Sequence, residues 1–111
     1  MTERQKKYLS DILISIELVE SFIKDVNTYD QYTSDMKTKS AIERQLGIIG
    51  EAVNKYLGEP DSIELSNSRM IVNFRNRLIH SYDNIDDSIV WAIVKRYLQP
   101  LKQEVISLIS K

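Results

Sequence analysis

Cysteine is absent from this chain of 111 residues, which also has only two prolines, three glycines, one tryptophan and one histidine. Without cysteine there is no disulfide, no thiol nucleophile and no cysteine-based metal site. So few prolines and glycines leave few places where a helix must stop. No segment sustains the period-two alternation of a half-buried strand, so a sheet is not expected. The longest uninterrupted apolar run, Ile89 to Val94, falls far short of the roughly 20 residues that a bilayer-spanning helix needs. The first residues, Met1-Thr2-Glu3-Arg4-Gln5-Lys6-Lys7, run into an amphipathic segment rather than a continuous apolar one. A signal peptide is therefore not expected, and the cytoplasm is the expected location. A lone histidine among scattered carboxylates gives no cluster with metal-ligand spacing, so neither zinc nor a two-metal nuclease centre is expected, and no cofactor is called for.

What is present reads as a single helical domain spanning residues 1–111. Leu9, Ile12, Leu13, Ile16, Val19, Ile23 and Val26 recur at three- and four-residue spacing and predict a first helix from about Thr2 to Val26. Asn27-Thr28-Tyr29-Asp30 is turn-prone, with Thr28 suited to cap a second helical stretch that runs to about Leu57. Its stripe is Ile42, Leu46, Ile49, Val53 and Tyr56. Gly47 and Gly50 lie inside that stretch at a propensity cost of about 1 kcal/mol each, which suggests close packing by another helix. Gly58-Glu59-Pro60 ends it. A third helix starts near Ser66 or Asn67 and runs towards His80. A fourth follows Asp86 and Asp87, with Pro100 kinking it near Arg96 to Tyr97. The expected fold is all-α, a four- to five-helix up-and-down bundle with short connections. Ile14, Leu18 and Phe22 lie off the main stripe of the first helix, and Ile48 and Ala52 off that of the second. A homodimer that covers such surface is the expected assembly.

The net charge is −1, yet the charge is unevenly spread. From Leu65 through Tyr82 there is no Asp or Glu, although the chain has 16 of them. That stretch carries Arg69, Arg75, Arg77 and the sole histidine, His80. A local positive patch around a side chain that titrates near neutrality suits a phosphate ligand and proton transfer. On a helical wheel Arg75 falls between Leu78 and Ile79, inside the apolar arc, where an unpaired guanidinium would be very costly. It therefore needs a carboxylate, a phosphate or an interface. His80 lies about 140° round from Arg75, so the two meet at one ligand only if the helix ends or unwinds before His80, or if two subunits build the site. Were they to converge on a phosphate, metal-independent cleavage of RNA would follow. The ribose 2′-OH is the internal nucleophile, His80 the general acid or base, Arg75 the stabiliser of transition-state charge, and Asn76 or Arg77 a support for the phosphate. A structural reading of the same residues stands beside this one. Arg75 pairs with Glu43 or Glu51, Arg69 and Arg77 are solvated, His80 caps a helix and Tyr82 belongs to the core.

The spacing Arg75, four residues, His80, one residue, Tyr82 resembles the Arg-x-x-x-x-His-x-Tyr motif of the HEPN superfamily, and in particular the HepT toxins of MntA–HepT toxin–antitoxin modules. Ile49-Gly50-Glu51-Ala52 resembles the helix-two signature of that family. Ile85-Asp86, Ile89-Val90-Trp91 and Pro100 resemble its second half. The resemblance implies a helical homodimer whose motifs face each other across a cleft. It implies metal-independent endoribonuclease activity with Arg75 and His80 catalytic and Asn76 assisting. It also implies neutralisation by a cognate MntA-like nucleotidyltransferase antitoxin, which uses ATP to attach AMP to Tyr82. The RNA substrate would be tRNA or mRNA, and no membrane partner is implied. An alternative of another class is a non-catalytic helical subunit that binds a nucleotidyltransferase or its nucleotide.

Overall fold

The computed structural model describes the backbone of residues 1–111 and every side chain except that of Tyr82. The chain forms α1 (Glu3–Phe22), α2 (Tyr29–Ser34), α3 (Met36–Leu57), α4 (Ser68–His80), a 3-10 turn (Tyr82–Asn84), α5 (Asp87–Ala92), a π-helical turn (Ile93–Tyr97) and α6 (Leu98–Ile109). No strand occurs among the described residues, and the fold is the expected all-α bundle. α3 lies between α1 and α4, and α6 packs on α1. The predicted stripes are the core. Leu9, Ile12, Ile16 and Val19 of α1 meet Ile42, Leu46, Ile49, Val53 and Tyr56 of α3, with Ile71 and Phe74 of α4 and Leu98, Leu101 and Val105 of α6, all buried. No described helix is long and apolar enough to cross a membrane.

Local chemistry sets the helix ends. Thr2 and Thr28 each accept a hydrogen bond from the backbone N–H three residues on, and Gln5 and Gln31 return the bond to complete capping boxes. The expected second helical stretch is in fact two helices, because Asp35 takes a non-helical conformation (ψ 88°) and its carboxylate accepts from Thr38 N–H. The third helix starts where expected, with Asn67 at its N-cap position, but no side chain caps it. Asn67 adopts the left-handed conformation (φ 60°) instead, and Ser66 turns away to donate through its N–H and hydroxyl to Glu104 of α6. The kink expected from Pro100 is the π-helical turn. Leu98 N–H donates to the Ile93 carbonyl five residues back, which widens the helix just where the proline ring would press on the carbonyl of Arg96.

The apolar residues assigned to a second face divide. Ile14, Leu18, Phe22 and Ile48 are exposed, but Ala52 is buried in the core. The methyl of Ala52 is small enough to fit beneath the packed helices, so its position off the main stripe does not bring it to the surface.

Candidate functional site

The site is built where α4 crosses α3. α4 approaches so closely that a Cβ on Gly50 would fall on the Cβ of Arg75, and would stand 3.0 Å from Arg75 Cγ and 3.1 Å from the Ile71 carbonyl oxygen. Only glycine permits this crossing. Gly47 does not share the constraint, since a Cβ there would meet Leu78 Cδ1 at an ordinary 3.7 Å. The close approach lays the aliphatic stem of Arg75 along α3 and carries its guanidinium to Glu51, one residue beyond Gly50.

There Arg75 Nη2 forms an ion pair with Glu51 Oε2, while Nη1 donates to Asn76 Oδ1 at 3.0 Å. Lys55, one turn along α3, reaches the other oxygen of Glu51 at 3.5 Å. The guanidinium is thus a partly buried cation held by a shared carboxylate, and of the two carboxylates expected as partners the structure selects Glu51. Two cations share one anion, so the group keeps a net positive charge. It lines an open groove of about 620 Å³ between the start of α1, α3 and α4, to which Tyr8, Arg44 and Ile79 also contribute. Glu43, on the same wall, is held above the usual carboxylate range by burial and by the nearby Asp87, against the opposing pull of Lys39.

His80 is the last residue of α4 and is exposed. The helix therefore does not unwind before it. On a continuous helix His80 stands about 140° from Arg75, and a single chain does not turn the two towards one ligand. Arg77 and His80 both fall in the last turn of α4, where a positive charge is favoured by the helix dipole. Arg77 faces the start of α5, near enough to Asp86 to help keep that carboxylate low, although the bonds from Ser88 do most of this. Of the expected site residues, the structure joins Arg75 and Asn76 in one hydrogen-bonded unit and sets Arg77 and His80 apart from it. The backbone of Tyr82 opens the 3-10 turn just past His80, and its side chain, expected to carry AMP, lies outside the described residues.

The parts not read from the sequence are the selection of Glu51 and the part of Lys55. The i, i+4 spacing of Glu51 and Lys55 was a visible signal for that pair. The link from Glu51 to Arg75 spans 24 residues and depends on the glycine crossing.

A family model described as "Ribonuclease HepT-like" matches residues 12–108. A protein of Thermococcus cleftensis, provisionally named ribonuclease HepT, is 33% identical over 92% of this chain and 93% of its own length. A provisionally named RNase of Methanocaldococcus jannaschii is 36% identical over 90% of this chain and 92% of its own length. A second M. jannaschii protein, whose name joins a gamma-glutamylcyclotransferase to a provisionally assigned RNase, is 31% identical across all of this chain and half of its own length. No solved structure shows a significant match. With the family model covering nearly the whole bundle, including the α3–α4 crossing and the α4 terminus, the chain belongs to the HepT-like ribonuclease family.

Proposed function

We propose that this protein is a metal-independent endoribonuclease, the toxin of a toxin–antitoxin pair, and that it acts as a homodimer. One observation carries the reading. In a chain of the HepT-like ribonuclease family, Arg75 stands at a groove with its fork oriented by Glu51 and Asn76, and the same helix ends on an exposed histidine. An arginine so oriented offers a fixed pair of donors to phosphate oxygens and stabilises the charge that builds on phosphorus. His80 accepts the proton of the ribose 2′-OH as that oxygen attacks the adjacent phosphorus. The bond to the 5′-oxygen breaks, that oxygen takes up a proton, and the products are a 2′,3′-cyclic phosphate and a 5′-hydroxyl. DNA lacks the nucleophile and is not cut. Asn76 and Arg77 support the phosphate.

The 140° between Arg75 and His80 supports the dimer, because a second copy supplies the missing partner to each. Exposed Ile14, Leu18, Phe22 and Ile48 supply apolar surface that a dimer would cover.

Neutralisation is proposed to act at Tyr82. Its phenolic oxygen attacks the α-phosphate of ATP on a partner nucleotidyltransferase, pyrophosphate leaves, and AMP remains two residues beyond His80. The added negative charge and bulk would repel an RNA phosphate.

The test is cleavage of tRNA and total RNA in EDTA by AMP-free protein, wild type beside His80→Ala. Wild type alone should give cyclic-phosphate ends. Absence of cleavage by either would favour instead a non-catalytic subunit that binds a nucleotidyltransferase, with Arg75 serving only as the ion-pair partner of Glu51.

A further inference from the structure

α4 has a second charged face that the paired Arg75 does not share. At about 100° per residue, Arg69, Asn73, Arg77 and His80 fall within an arc of about 80°, while Arg75 stands outside it at the α3 crossing. Arg69 and Arg77 are exposed, and neither belongs to any ion pair among the described residues. With Asn73 they rim a shallow groove floored by Met70, Phe74 and Ile89. The groove continues past Arg77 to Ser81 and Asn84 at the foot of α4. The one carboxylate along this combined lining is Asp86. Its Oδ1 is engaged, accepting from Ser88 N–H at 2.9 Å and from the Ser88 hydroxyl at 2.6 Å.

Two unpaired guanidinium groups separated by eight residues stand about 12 Å apart along the axis, a span of a few nucleotides of extended strand. Each presents a fork that matches a phosphate. Asn73, between them, offers a neutral donor. His80 follows Arg77 by one turn on the same face. We propose that this edge of α4 is the track for the phosphodiester backbone of a single RNA strand, with Arg69 and Arg77 each holding a phosphate and so leading the strand to His80. The proposal rests on the RNA-cleaving reading above and adds to it Arg69 and Asn73, which lie outside the Arg75 to Tyr82 motif. The contacts are to phosphate rather than to bases or the 2′-OH. A DNA strand of the same sequence therefore binds the track with the same salt dependence without being cut.

The test uses the full chain carrying His80→Ala, which binds without turnover, and a short single-stranded RNA beside its DNA counterpart across a salt series. Arg69→Gln and Arg77→Gln should each make the slope of log affinity against log salt shallower by about 0.7, for both strands. Arg69→Lys and Arg77→Lys should keep the slope, and Lys37→Gln, at an exposed lysine on α3, should leave it unchanged. In the cleaving protein Arg69→Gln, outside the catalytic motif, should raise KM severalfold with kcat nearly constant. Cleavage that persists with slopes and KM unmoved would overturn the track while leaving the nuclease reading intact. Arginine-dependent binding without cleavage by any form of the protein would uphold the track and overturn the nuclease reading. Unmoved slopes joined to loss of self-association in the Arg69→Gln, Arg77→Gln double variant would assign the two arginines to an interface between copies, and the track would fall.

Discussion

At the residue scale the site depends on what Gly50 lacks. Helix propensity alone treats Gly47 and Gly50 alike, as two costs of about 1 kcal/mol. Their surroundings separate them. Gly47→Ala adds a methyl that meets Leu78 at an ordinary distance and removes the propensity cost, so it should stabilise the fold by up to about 1 kcal/mol. Gly50→Ala adds the same methyl against the Cβ and Cγ of Arg75 and the Ile71 carbonyl, so α4 must move away. The expected loss is about 1–3 kcal/mol, the range for overpacked sites, and Arg75 should shift from Glu51 with it. Thermal melts of the two variants should move in opposite directions, by roughly 4–8 °C per kcal/mol for a domain of this size. A Gly50→Ala protein as stable as wild type would mean that the close crossing is not needed. The distinction between the glycines was only half legible in the sequence. Their one-turn spacing pointed to a close helix, but which of them bore the contact was set by the register of α4, which no local pattern contains.

At the scale of elements, most helices were legible because their cores follow the 3.6-residue period with few interruptions. All five stripe residues of α3 are buried. The departures occur where a single residue overrides that period. Asp35 breaks the second stretch by bonding Thr38, a competition between side chain and backbone that short polar residues enter readily. The π-helical turn answers Pro100 from residues that precede it, so its form, unlike its position, was hidden. The start of α4 is the clearest case. Ser66 and Asn67 are both good caps by type, yet Ser66 is drawn to Glu104, 38 residues away, and Asn67 is left to turn the chain in the left-handed region. Asn67→Gly should therefore be nearly neutral. Asn67→Ala should cost about 1 kcal/mol, as expected for a Cβ in that conformation. Chemical denaturation should resolve the difference, and equal stability of the two variants would show that the left-handed residue is not what orients α4.

At the scale of the whole molecule, the proposed catalytic centre needs Arg75 and His80 together, although the two stand about 140° apart on α4. The helix is unbroken through His80, so a single chain in this conformation does not bring the two side chains together. The proposed two-fold dimer would solve the geometry if its self-complementary interface brought Arg75 of each copy towards His80 of the other. This arrangement has a consequence that a site within one chain does not. Arg75→Ala and His80→Ala should each be inactive alone. When the two are mixed and allowed to exchange, half of the dimers are mixed, and each mixed dimer has one site with both native residues, so activity should recover to about a quarter of wild type. The recovery should be absent when exchange is blocked by linking each variant to itself in tandem. If the mixture stays inactive while exchange of labelled copies is observed, Arg75 and His80 must act from the same chain, and α4 must then open at its C-terminal turn during the reaction.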